Sequence, residues 1–261
     1  MLFRLTPILA LSIFSLQAAA IVGGVTMTDA LPSYLLAADR NTMKSHTVVI
    51  VNAKSSAHSR CTGTLIEENI VLTAAHCIPA DLKDMYVVPS QYEFAAMEFR
   101  PIIDKIIHED YKSFDLPKVN QPNSDLAVIK FTGKLPGGYT PTKWINSFTP
   151  GVDRFWLYVA GYGVSDEAKA DFGELRFSKV TIENALLNTN QSFMTGNQSA
   201  GQGICKGDSG GPAYIKIKDE FYVVGIVSAI AGSCTGTSYF NQSQFYKDWI
   251  QENSHKLKNK S

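Results

Sequence analysis

The 261-residue sequence carries no net charge, because 24 Lys and Arg offset 24 Asp and Glu. That balance gives no electrostatic reason to expect nucleic acid or an anionic surface as partner. Basic residues cluster only at the tail (Lys256, Lys258 and Lys260), which reads as a solvated chain end. Beyond the first twenty residues no apolar run is long enough to cross a bilayer, so no membrane association is expected once that segment is removed. No cluster of His, Cys, Asp or Glu stands out with metal-ligand spacing, so neither a metal nor another cofactor is expected. Cysteine is scarce but even in number: Cys61, Cys77, Cys205 and Cys234. Four cysteines allow three pairings, and spacing does not choose among them. Two bridges would place the protein in an oxidising compartment.

What the sequence does contain centres on Gly203-Ile204-Cys205-Lys206-Gly207-Asp208-Ser209-Gly210-Gly211-Pro212. Four glycines and a proline in ten residues forbid a regular helix or central strand, leaving a tight bend with Ser209 on an uncrowded backbone. A serine hydroxyl becomes a nucleophile when a base takes its proton. Glycines beside it free N–H groups to point at a developing oxyanion. Alone, the stretch reads equally well as a Gly-rich turn, so a base and an orienting acid must come from elsewhere. Thr73-Ala74-Ala75-His76-Cys77 offers a histidine among small residues. Ser124-Asp125-Leu126-Ala127-Val128-Ile129-Lys130 offers an aspartate heading an apolar run. His46, His58, His108 and His255 lack such a setting and read as surface or core residues.

Residues 1–20 read as a signal peptide, with Arg4, an apolar stretch from Ile8 to Leu16, and the small residues Ala18-Ala19-Ala20. Cleavage after Ala20 would expose Ile21 directly, without a separate propeptide. From His46 the chain becomes strand-like: 46–51, a hairpin of 61–66 and 69–73 around Glu67-Glu68, then 85–88, 99–107 and 126–131. The breakers from Leu135 through Pro141, with Pro150-Gly151, mark a crossing between two units, 21–136 and 137–261. Further strands are expected at 154–161, 174–182, 212–217 and 221–229. A closing amphipathic helix is expected from Phe245 to about Leu257, with Phe245, Trp249 and Ile250 on its packed face. Short strands between turn signals point to an all-β sandwich or barrel. Asn190, Asn197 and Asn241 each begin a glycosylation triplet.

In the order His76, Asp125, Ser209, the sequence resembles the trypsin/chymotrypsin family of serine endopeptidases. The resemblance rests on Ile21-Val22-Gly23-Gly24, Ala74-Ala75-His76-Cys77, Asp125-Leu126-Ala127, Gly161-Tyr162-Gly163, Gly207-Asp208-Ser209-Gly210-Gly211-Pro212 and Ser228. It implies two antiparallel six-stranded β-barrels with a C-terminal α-helix, and the pairings Cys61–Cys77 and Cys205–Cys234. It implies Ser209 as nucleophile, His76 as base, Asp125 as orienting acid, and the N–H groups of Gly207 and Ser209 as oxyanion hole. A free Ile21 amino group would pair with Asp208, although Ala20, not Lys or Arg, precedes it. The calcium loop of some relatives has only Glu93 and Glu98 here. Partners would be protein or peptide substrates and protein inhibitors, and the expected state is a monomer. A protease-like binding protein without catalysis is the alternative.

Specificity follows from the same alignment. The residue six before the nucleophile, at the pocket base, is Gly203, so no charge waits for Lys or Arg. Ile204 is the next wall position, and Ser228-Ala229-Ile230 resembles the segment that pairs with the substrate main chain. Ile230 and Thr237 replace pocket-opening glycines, the latter if Tyr239 is the aromatic that follows. This resembles elastases and implies cleavage after small or medium aliphatic residues. Because Gly203 leaves room at the base, a preference for large apolar residues is the second possibility.

Overall fold

The computed structural model describes residues 21–54, 60–89, 99–112, 124–145, 155–169, 171–182 and 193–260. The expected signal peptide, Glu93, Glu98, His58 and Asn190 lie outside the described residues.

Strand β1 (Val25–Thr26) and helix α1 (Ala37–His46) come first. The strands β2 (Thr47–Asn52), β3 (Arg60–Glu67), β4 (Ile70–Thr73), β5 (Met85–Val88), β6 (Arg100–Ile107) and β7 (Ala127–Phe131) follow. They close a barrel in the order β2-β3-β4-β7-β6-β5. After β8 (Lys143–Trp144) come β9 (Phe155–Gly161), β10 (Arg176–Ile182), β11 (Phe193–Asn197), β12 (Pro212–Ile217), β13 (Glu220–Ala231) and β14 (Thr237–Gln242). These six pair in the order β9-β10-β11-β14-β13-β12, and β12 returns to β9. The fold is therefore two closed antiparallel six-stranded barrels, with helix α2 (Lys247–Asn259) at the end. Among the described residues no helix is long and apolar enough to cross a membrane.

The strand period of two explains why β2 is buried on both faces. Val48 and Ile50 point into the first barrel with Leu65, Val71, Ile129 and Phe131. Val49 and Val51 point the other way, into a core shared with Tyr162, Tyr214 and Phe221 of the second barrel and Ile250 and Leu257 of α2. The outer face of one barrel is thus the seam with the other. The second barrel fills with Leu157, Val159, Val180, Met194, Val224 and Phe240, and Ile21 is buried among them.

Four elements depart from the sequence expectation: α1, β11, β14 and α2. Helix α1 was not expected; it takes in His46, so the strand begins at Thr47 rather than His46. Its inward positions are Asp39, Arg40, Met43 and His46, a helical spacing with almost no apolar stripe to betray it. Asp39 instead pairs with Lys216 at 2.8 Å, and Arg40 donates to the Thr26 and Asp29 carbonyls. Strands β11 and β14 were likewise not expected. Their buried positions include Gly196, which has no side chain, and Ser238, Asn241 and Gln242, whose polar side chains hide the alternation. Helix α2 begins at Lys247, and its packed face is Ile250, Asn253, Ser254 and Leu257. Phe245 precedes the helix and is 52% exposed, so it is not on that face.

Gly63, inside the first barrel, has no room to grow. A Cβ there would lie 2.5 Å from Val71 Cγ1 and 3.0 Å from Val48 Cγ2. Gly63→Ala gains about 0.4–1 kcal/mol through the unfolded chain, but overpacking costs about 1–3 kcal/mol. The expected result is a net loss of about 1–2 kcal/mol, read by urea unfolding.

Candidate active site

His76 lies in the 3-10 turn Ala75–Cys77 that follows β4, tied to β3 by the Cys61–Cys77 disulfide. Asp125 stands two residues before β7. Because β4 pairs with β7 at Thr73↔Ala127, the histidine and the carboxylate arrive side by side. Asp125 Oδ1 accepts the His76 backbone N–H at 3.0 Å, and Oδ2 lies 2.8 Å from His76 Nδ1. The second barrel completes the carboxylate shell: the Ser228 hydroxyl donates to Oδ2 at 2.6 Å. Asn241 Nδ2 donates to the Asp125 carbonyl at 2.9 Å. Asp125 is only 1% exposed. Burial by itself raises its pKa, but hydrogen bonds and charge from His76, with the Ser228 hydroxyl, outweigh burial and hold the carboxyl below its ordinary range. The His76 side chain remains 37% exposed, so its ring is open to a molecule from solvent.

Ser209 reaches the same place from the other barrel. Its hydroxyl donates to the Ser228 carbonyl at 3.3 Å, so one residue of β13 touches both Asp125 and Ser209. A bulge in β13 between Val227 and Ala229 produces that double contact. Val227 also exchanges backbone hydrogen bonds with the bend, accepting from Gly210 and donating to Gly211. Gly210 sits at φ +83°, and a Cβ there would fall 2.0 Å from Thr73 Oγ1. Glycine is required at that position on both counts.

Three threonines of the first barrel hold the bend, and the sequence reading missed all of them. The Thr62 N–H donates to the Ser209 carbonyl at 2.9 Å. The Thr62 hydroxyl accepts from the Tyr162 N–H at 3.0 Å and donates to the Gly207 carbonyl at 2.9 Å. The Thr64 hydroxyl donates to the Gly210 carbonyl, and that of Thr73 to the Thr62 carbonyl. Threonines in a β-rich run read as ordinary strand formers, so no sequence signal marked them. Asn241 was read only as the start of a glycosylation triplet, yet it is buried and holds Asp125.

Asp208 is fully buried and points away from solvent. Its carboxylate accepts the N–H groups of Gly163 at 2.8 Å and Cys205 at 2.7 Å. Burial raises its pKa to about 7 despite those bonds. Ile21 is buried in the second core, and Val22 bridges to Gly203.

Of the other expected pocket residues, Ile204 packs in the second core with Ile21. Ile230 is partly buried against the Cys205–Cys234 disulfide. Thr237 is partly exposed at the start of β14, whereas its neighbour Ser238 and the aromatic Phe240 are fully buried. Gly203 is pressed against the side chain of Gln198. Cys61, His76 and Cys77 bring three potential metal ligands together, but both sulfurs are spent in the disulfide. His46 and His108 are buried, and burial pulls both imidazoles below their ordinary pKa.

Residues 38–250 match the family model Trypsin, and the chain belongs to that family. It is 28% identical over 212 residues to an ovochymase of Halocynthia roretzi, covering 73% of this chain and 13% of that protein. Over 249 residues it is 24% identical to the serine protease Hayan of Drosophila melanogaster, 82% of this chain and 37% of that one. A venom serine protease of Bombus ignitus, Bi-VSP, is 28% identical over 212 residues, 69% of this chain and 54% of its own length. The chain thus spans about half or less of each relative.

The Thr62 hydroxyl satisfies one donor and one acceptor across the seam. Thr62→Val keeps the shape and leaves the Tyr162 N–H and Gly207 C=O without that partner. We expect a loss of about 2–3 kcal/mol, since a buried unpaired group costs about 1–3 kcal/mol. Thr62→Ser should recover most of it. Urea unfolding of the three forms measures this.

Proposed function

We propose that the protein is an exported serine endopeptidase that hydrolyses peptide bonds through an acyl-enzyme. The observation that carries this reading is the His76–Asp125 pair, buried on the acid side and open on the imidazole side, with Ser209 joined to it through Ser228. Ser209 Oγ attacks the scissile carbonyl carbon while its proton passes to His76 Nε2. Asp125, ionised, keeps the other imidazole N–H oriented and stabilises the imidazolium. The N–H groups of Gly207 and Ser209 receive the oxyanion. Collapse expels the amine, which takes the proton from His76, and leaves an acyl ester on Ser209. Water, deprotonated by His76, then releases the acid and restores the serine. The Ser228–Ile230 segment would lend main-chain groups to an extended substrate. Gly203 offers no counter-charge, and Ile230 narrows the approach, so cleavage after small or medium aliphatic residues fits best. Export rests on the character of residues 1–20 and on the two disulfides.

Ser209→Ala should lower kcat/KM at least about 10⁴-fold, and His76→Ala nearly as much. The double variant should be little worse than either, because the groups act as a unit. Labelling by a fluorophosphonate should require Ser209 and His76. A native protein that is neither labelled nor active on any peptide would overturn the endopeptidase reading and favour a binding role.

We propose further that an Ile21 ammonium, freed by cleavage after Ala20, pairs with Asp208. In the uncleaved chain the Ile21 nitrogen is a neutral amide, and Asp208 titrates near 7 because of burial. A carboxyl raised this way stabilises the fold below its unfolded pKa, and that contribution is lost as pH rises from about 4 to about 7. The loss amounts to about 4 kcal/mol. An ammonium partner favours the ionised carboxylate and removes it. Urea unfolding at pH 5 and pH 8 should therefore show a larger drop for the precursor than for the form beginning at Ile21. Equal pH dependence in the two forms would exclude the pair.

A further inference from the structure

We propose that Gln198 closes the base of the primary specificity pocket; the proposal rests on the endopeptidase reading and names what restricts the substrate side chain. Gln198 follows β11 directly and is 0% exposed. Its Nε2 donates to the Ile204 carbonyl at 3.0 Å and to the Cys234 carbonyl at 2.8 Å. Its Oε1 accepts the Ile204 N–H at 2.6 Å. Both N–H donors of the amide are used, and the carboxamide ties the segment leading to Ser209 to Cys234 of the second disulfide. Its own backbone N–H donates to the Gly236 carbonyl, which fixes the side chain's origin.

The decisive contact is with Gly203. A Cβ at that position would lie 2.2 Å from both Cδ and Oε1 of Gln198. The direction that any side chain on residue 203 would take is therefore already filled by the Gln198 amide. The backbone at φ +159° already disfavours a side chain, and this close approach is a second, independent reason for glycine here. The room that glycine appeared to leave in the sequence is occupied.

Two consequences follow for the substrate. A Lys or Arg side chain reaching the base would meet a neutral amide whose donors are committed, and its charge would be buried unpaired. A large aromatic side chain would have to displace Gln198 and break three buried hydrogen bonds. Short aliphatic side chains meet neither penalty. Gln198 at the floor and Ile230 at the wall restrict the site independently, which removes the second possibility left by Gly203 alone.

The test uses peptides differing only by Ala, Val, Phe or Arg before the scissile bond, with rates normalised to sites titrated by fluorophosphonate. Gln198→Ala should raise the Phe-to-Val ratio of kcat/KM by about 10-fold or more relative to the native enzyme. An unchanged ratio in titratable enzyme would overturn the proposal. A parallel measurement needs no activity. Gly203→Ala in the native background should lower Tm clearly, because its methyl group strikes the amide and the backbone there is strained for any side chain. Where Gln198→Ala folds, the same Gly203→Ala change should cost less in that background. No loss of Tm for Gly203→Ala would show that the floor is open and sink the proposal. Failure of fluorophosphonate to label the native protein would count against the endopeptidase reading alone, since the difference in Tm loss between the two backgrounds judges the Gln198 packing without activity.

Discussion

The structure turns on the burial of Asp125. A carboxylate removed from water is costly unless hydrogen bonds replace its hydration. Here the replacements come from both halves of the molecule. His76 supplies two N–H contacts to the carboxylate from the first barrel, while from the second the Ser228 hydroxyl donates to the carboxylate and the Asn241 amide to the backbone carbonyl of the same residue. Neither barrel alone could satisfy this residue. Its charge therefore links the docking of the barrels to the orientation of the imidazole, and the site exists only where the two are assembled.

The same seam fixes the serine bend. Four carbonyls of residues 62, 207, 209 and 210 are met by groups of Thr62, Thr64 and Thr73. The hydroxyls are short and β-branched threonines have few rotamers, so the hydrogen bonds constrain the bend with little freedom left to lose. Gly63, between two of these threonines, keeps the strand close to Val71 and Val48 inside the barrel. Packing of the first barrel is thereby coupled to the position of Ser209 in the second.

The far side of the bend is organised around two buried groups of different character. Asp208 holds a carboxyl in the interior against two backbone N–H groups, with Ile21 in the adjoining core. Gln198 holds a neutral amide with its donors matched. The first is incompletely compensated, as its pKa near 7 shows, and so is sensitive to a change of charge nearby. The second is compensated and behaves as a fixed part of the wall.

The sequence by itself determined the family, both disulfide pairings through the resemblance, the fold class, and most strands with alternating or β-branched character. It also singled out His76, Asp125 and Ser209, because each sits in a short local context that few other roles produce. Elements held by polar contacts were illegible: α1, whose inner face is Asp39, Arg40, Met43 and His46, and β14, whose buried positions include Ser238 and Asn241. Hydrophobic periodicity reports burial only when burial is apolar. Only the tertiary structure decided what Thr62, Asn241 and Gln198 do, since the partners of their side chains lie up to 145 residues away in the chain. A threonine, asparagine or glutamine advertises hydrogen-bonding capacity but not its recipient. The space beside Gly203 is the clearest case: a missing side chain is visible in the sequence, but what fills its place is set by the fold.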